Sequence, residues 1–188
     1  MKRLIVIKNG EKILFRHLKK SDVEGVWNNF NAVLKEGLYL PLFSPVMSEF
    51  EKNSWFDTII REKEVCIVAE HPKLDPPFNI LGQCEISNTE WEAAAHVGNL
   101  GIIVSEQYRD LGVGYHLIDL AIRESKKLNN KEKICLSCFS TNERALFLYK
   151  KMGFNEIGIR KRQFIMMNNY YDEVLMDLWI DDYLKKTQ

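Results

Sequence analysis

Apolar positions recur along this chain with two different periods. After a short apolar run, Leu4-Ile5-Val6-Ile7, read as a first strand, the spacing turns helical, and Val26, Trp27, Phe30, Val33 and Leu34 share one face. Ser21-Asp22-Val23-Glu24 in front of them has the form of a capping box. A second such box, Ser48-Glu49-Phe50-Glu51, opens a helix expected to bury Trp55, Phe56, Ile59 and Ile60. Between the two helices, residues 37–45 are aromatic and broken by proline, either a lid over a site or a packing segment.

The period then shortens to that of strands. Val65–Ala69 and Ile80–Ile86 form a hairpin around a proline-rich tip, and Val97–Val104 reads as a longer strand. A helix carrying Leu117, Ile118, Ala121 and Ile122 follows, then a strand from Ile134 to Phe139. A short helix places Ala145, Leu148, Tyr149 and Met152 on one stripe, and Gly153 stops it. Two closing strands, around 157–165 and 174–180, flank the turn Asn168-Asn169. The unit from Val97 to Phe139 requires a right-handed parallel crossover, whereas the remaining strands are joined as hairpins. The expected fold is α/β: a mixed, mostly antiparallel central sheet with helices on both faces and one parallel βαβ unit.

Composition narrows the class. With 188 residues, 46% of them hydrophobic, the chain is read as a single domain over 1–188 with its own core. Its 26 basic and 26 acidic side chains cancel, which gives no global basic footprint for nucleic acid. No apolar run approaches the roughly 20 residues needed to span a bilayer, and Lys8 cuts the first one short of a signal-peptide core. A cytoplasmic protein without membrane or nucleic-acid partners is expected, as monomer or homodimer. Cys135 and Cys138 spell CxxC, but on a strand and without a second ligand pair, so no metal is assigned. Arg160-Lys161-Arg162 is read as a solvated strand face, and Trp91 and Trp179 as packing residues.

The chemistry is concentrated after the long strand, in Val104-Ser105-Glu106-Gln107-Tyr108-Arg109-Asp110-Leu111-Gly112-Val113-Gly114. A strand ends, an arginine arrives, and two glycines open a helix, whose free N–H groups favour phosphate. Neither a dinucleotide fingerprint nor a P-loop is present, so by itself the loop is equally a structural turn. Together with Asn142-x-x-Ala145-x-x-x-Tyr149-x-x-x-Gly153-Phe154, however, Arg109-x-x-Gly112-x-Gly114 resembles the two signatures of the GCN5-related N-acetyltransferases. Order and separation match over essentially the whole chain, and the ending Asp172–Leu178 is similar to the branch of ribosomal-protein N-terminal and phosphinothricin-type acetyltransferases.

The resemblance implies acetyl-CoA as co-substrate, without a metal, held between the strand ending at Val104 and the strand near Ile134. It implies backbone contacts from Ile102, Ile103 and Val104 to the pantetheine arm. The pyrophosphate would lie on Arg109, Asp110, Leu111, Gly112, Val113 and Gly114, with Asn142 on the cofactor arm. Tyr149 would face the thioester sulfur and protonate the leaving thiolate. The implied reaction is direct attack on acetyl-CoA by a primary amine, a peptide N-terminal α-amine or a small amino compound. A polyamine or aminoglycoside acetyltransferase, or a non-catalytic acyl-CoA-binding module, is the alternative. Where relatives place a basic glutamate, this chain has Asn99, which cannot take a proton. Glu85, His96 or a water chain remains as base, with Glu85 named first. Without a dedicated base, an α-amine of pKa about 7.8 is easier to deprotonate at pH 7 than a lysine amine of about 10.4, by roughly 1 against 4.6 kcal/mol.

Overall fold

The computed structural model describes residues 1–187. Eight strands form one sheet: β1 (Lys2–Val6), β2 (Lys12–His17), β3 (Val65–Glu70), β4 (Ile80–Asn88), β5 (Val97–Val104), β6 (Lys133–Phe139), β7 (Asn155–Met166) and β8 (Asn169–Trp179). Helices α1 (Val23–Lys35) and α2 (Glu49–Arg61) separate β2 from β3; α3 (Val113–Asn129) follows β5, α4 (Glu143–Met152) follows β6, and α5 (Ile180–Lys186) closes the described chain. The strand order is β1-β2-β3-β4-β5-β6-β8-β7, with only β5 and β6 parallel, so the expected mixed sheet and its single parallel crossover are present.

The sequence reading counted one strand before α1, and there are two. Asn9-Gly10, with Gly10 in the left-handed region at φ +87°, turns β1 back onto β2. That dipeptide is a hairpin signal in its own right. Ser21 does not cap α1 either: a 3-10 turn over Lys20–Asp22 precedes the helix, and the Asp22 carboxylate accepts from the Lys19 N–H and from Arg16. Ser48 caps α2 as expected, accepting from the Glu51 N–H. Of the apolar residues assigned to α2, Ile59 is buried but Ile60 lies mostly in solvent. Trp91 and Trp179 are exposed rather than packed. Arg160 and Lys161 pair with Glu173 and Asp172 across the β7–β8 hairpin.

The sheet sorts its side chains by alternation. On β4, Cys84 and Ile86 point into the core beneath α3, while Gln83 and Glu85 face α1 and α2. Leu117, Ile118, Ala121 and Ile122 are fully buried on α3, and each large side chain contributes about 1.5–3 kcal/mol of apolar burial. On the other face α1 comes so close to the sheet that a Cβ on Gly25 would lie 2.9 Å from Cγ1 of Ile80 on β4.

The feature that positions the site is a wedge. β5 pairs with β6 only over Val97–Asn99; beyond that point β5 keeps β4 and β6 keeps β8, and the two strands part. At the closed end Lys131, 2% exposed, donates from Nζ to the carbonyls of Ala95 at 2.7 Å and Val97 at 2.9 Å.

Candidate active site

Where β5 and β6 diverge, a cavity of about 1330 Å³ opens. Leu100 to Val104 of β5 form one side, Ser137 to Phe139 of β6 the other, with α4 and the start of α3 completing it. In the parted stretch, each strand has lost its neighbour. By alternation the backbone of Ile102 and the N–H of Val104 face the gap, where an extended, amide-bearing chain could pair with them, while the Ile103 carbonyl faces Gly82 of β4.

One end of the cavity is a cradle of N–H groups. Gly112 sits at the N-cap of α3 with φ +96°, a conformation that suits glycine, and the first turn of a 17-residue helix follows. The unpaired N–H groups of that turn, together with the helix dipole, form an anion site. Lys8 reinforces it from the β1–β2 turn: its Nζ donates to the Asp110 carbonyl at 2.8 Å, and Lys8 lines the cavity with Arg144 and Lys151. These three cations were not picked out from the sequence, because no local pattern ties them to the glycine loop.

Of the residues expected at this end, Asp110, Leu111, Gly112 and Gly114 line the cavity, but Val113 turns its side chain into the core and offers only its N–H. Arg109 lines the cavity with its guanidinium already committed. Nε donates to the Val104 carbonyl at 3.0 Å and Nη1 to Glu36 at 2.7 Å, with Nη2 on the second Glu36 oxygen. Asn142 caps α4, its Oδ1 accepting from the Ala145 N–H at 3.2 Å, and lines the cavity.

Tyr149 is 6% exposed, on the stripe of α4 that faces β6, with its ring tilted against Phe154 at 5.8 Å. Tyr149 lines the cavity. Burial pushes the phenol well above its ordinary range, so at neutral pH it is a proton donor. The thiols are poor nucleophiles for the same reason. Burial raises Cys138, which lines the cavity, to about 11, and holds Cys66, Cys84 and Cys135 above their usual value.

A second cavity of about 240 Å³ adjoins the first, sharing Leu40, Gly101, Ile102 and Ile103 with it. Its lining includes Trp27, Phe30, Trp55, Gln83 and Glu85, with no lysine or arginine. Trp55 donates from Nε1 to Glu85 Oε2 at 3.1 Å, while desolvation raises the carboxyl above the usual carboxylate range. Glu85 stands opposite Gly101 on β5, and a Cβ there would sit 3.5 Å from Glu85 Oε1. Gly101 lines both cavities, so no side chain stands between them at the position opposite Glu85.

The other two positions weighed for a base lie elsewhere. His96 is exposed before β5, at the closed end of the wedge, where its carbonyl accepts from the N–H groups of Glu132 and Lys133. Asn99 belongs to the paired stretch of β5 and lines neither cavity.

The sequence model of the acetyltransferase (GNAT) family matches residues 34–154, a span that contains β5, the glycine loop, β6 and α4. The chain belongs to the acetyltransferase (GNAT) family. It is an N-acetyltransferase of that family, and an N-alpha-acetyltransferase of Sulfurisphaera tokodaii is 26% identical to it over 157 residues, 84% of this chain and 89% of the relative. Two solved structures share the fold. A ribosomal-protein-alanine N-acetyltransferase from Brucella melitensis superposes with TM-score 0.77 at 17% identity, over 88% of this chain and 98% of that one. A phosphinothricin acetyltransferase from Sinorhizobium meliloti in complex with acetyl-CoA gives 0.79 at 18% identity, over 93% and 89%. Among the described residues, no helix of this GNAT protein is long and apolar enough to cross a membrane, and no cluster of His, Cys, Asp and Glu could hold a metal ion.

Proposed function

We propose that the protein transfers the acetyl group of acetyl-CoA to the α-amine of a polypeptide by direct attack, with Glu85 as base and Tyr149 as acid. The observation that carries this reading is the pair of joined cavities. Tyr149 lines the larger, Glu85 the smaller, and the gap at Gly101 lies between them.

The larger cavity has what acetyl-CoA requires. The N–H cradle of α3 and the cations Lys8, Arg144 and Lys151 suit its phosphates, and the free edges of β5 and β6 suit its amide-bearing arm. An amine in the smaller cavity would give its proton to Glu85 and attack the acetyl carbonyl. The C–N bond forms, the C–S bond breaks, and the departing thiolate takes the phenolic proton of Tyr149. On ordinary values of about 10 and 8.5, that last transfer is uphill by roughly 2 kcal/mol. Burial keeps Tyr149 protonated at neutral pH, and the same dry site disfavours a free thiolate. The raised carboxyl of Glu85 brings the base closer to neutrality, where general bases are most effective. With the thiols protonated, an acyl-cysteine route has no nucleophile.

The acceptor class is supported by charge. A pocket with one carboxylate and no cation favours an amine over an amino acid, whose free carboxylate would face Glu85 unpaired. A peptide N-terminus has that carboxyl tied up as an amide. The name of the Sulfurisphaera relative agrees with this choice. The test is released thiol from purified protein and acetyl-CoA with a small-residue peptide, the matching free amino acid, spermidine and an aminoglycoside. The peptide should be acetylated at least ten times faster than the others; equal or better turnover of spermidine or the free amino acid would refute the assignment.

A further inference from the structure

Arg109 is the loop's arginine and the natural candidate for a phosphate contact, yet its charge is neutralised inside the protein. The guanidinium makes a two-pronged pair with Glu36, the side chains being 11% and 21% exposed, and packs over the ring of Tyr39 at 5.0 Å. Its third nitrogen holds the last carbonyl of β5, Val104. The hydrogen bonds and charge of Glu36 hold the guanidinium in its charged form against the opposing effect of burial. Glu36 is itself oddly placed. It is the C-cap of α1, where the helix dipole disfavours a negative charge, and the pair with Arg109 offsets that penalty.

What the pair fixes is the start of the segment between α1 and α2. Tyr39, Leu40 and Pro41 line the acetyl-CoA cavity, and Leu40 also lines the pocket that contains Glu85. The segment has few anchors of its own: Leu38, Leu42, Phe43 and Met47 are exposed, and the Asn31 amide ties down its far end at Val46. At its near end a Cβ on Gly37 would come within 3.2 Å of Met167, from the turn between β7 and β8. The Arg109–Glu36 pair is therefore the strongest link between the phosphate loop and the wall of the acceptor pocket.

We propose that Glu36 is a positioning residue for the acceptor. Through Arg109 it latches residues 36–41 to the cofactor loop and shapes the acceptor pocket, and the Arg109 side chain serves the acceptor rather than the phosphates. This rests on the reading of the smaller cavity as the acceptor's pocket. A bidentate pair is geometrically exacting, so loss of one partner frees the segment to sample other positions.

Glu36→Gln, Arg109→Gln and the double variant are to be compared with the unaltered protein in two measurements: calorimetric affinity for acetyl-CoA, and KM and kcat for the best amine acceptor. Expected for Glu36→Gln is a rise of about tenfold in acceptor KM, with kcat at saturating acceptor and acetyl-CoA affinity each within twofold. The double variant should be no worse than Arg109→Gln alone, since the pair with Glu36 is broken once. Loss of acetyl-CoA affinity in Arg109→Gln but not in Glu36→Gln would assign the guanidinium to the phosphates and overturn the proposal. So would unchanged acceptor KM in Glu36→Gln, with or without a lower melting temperature. Turnover of the peptide by the unaltered protein tests the acceptor reading separately, because the latch is measured on whichever amine is accepted.

Discussion

The two halves of the site are built from different materials. The half proposed for acetyl-CoA is made chiefly of backbone: the parted strands β5 and β6, the N–H groups opening α3, and a cap on α4. The half proposed for the acceptor is made mostly of side chains, from α1, α2, β4, β5 and the segment between the helices, which meet only in the folded chain. Backbone recognition depends on local conformation, so it needs glycine or asparagine at fixed spacings. Side-chain recognition depends on tertiary approach, and Trp55 reaches Glu85 across 30 residues without any spacing rule to announce it.

If that division is right, substitutions should separate by half. The largest effect is expected at the proton donor of the larger cavity. Tyr149→Phe keeps the ring against Phe154 but removes the proton donor, and kcat should fall by about 10²-fold or more while acetyl-CoA affinity is kept. Full activity in that variant would return Tyr149 to the core and remove it from the chemistry. Smaller, opposite effects are expected at two glycines. Gly112→Val strains a left-handed N-cap by about 1–2 kcal/mol and crowds the cradle, so calorimetry should show acetyl-CoA affinity reduced several-fold with acceptor KM unchanged. Gly101→Val fills the gap over Glu85 and should raise acceptor KM about tenfold at unchanged acetyl-CoA affinity. Effects of both substitutions on both ligands would mean that the cavities are one site without separate halves.

The same division explains what was legible beforehand. The order of elements from α1 to β8, the parallel crossover, the glycine loop, Asn142 and Tyr149 all follow from periodicity and from the two signatures. The β1–β2 hairpin was missed although Asn9-Gly10 marks its turn, because Leu4–Ile7 was read as a complete first strand. The seven residues of α5 are too short for a helical period to show. Glu85 could be named from its strand but not placed, since alternation on β4 says which face it takes and not that Gly101 leaves room above it. Arg109 was assigned by its place in the signature, whereas its partner Glu36 lies 73 residues away.

Glu85 as the proton acceptor is tested most directly by the pH dependence of kcat/KM. Two acceptors of different amine pKa, an N-terminal α-amine and an alkylamine, are to be run with the unaltered protein and with Glu85→Gln. Burial raises the Glu85 carboxyl, so its active, ionised form is lost as pH falls through a value above the usual carboxylate range. The expected result is an acidic limb that contains this transition with both acceptors and loses it in Glu85→Gln, with kcat/KM lowered at least tenfold. A limb that follows only the pKa of the amine, unchanged in Glu85→Gln, would contradict that role and leave deprotonation to water.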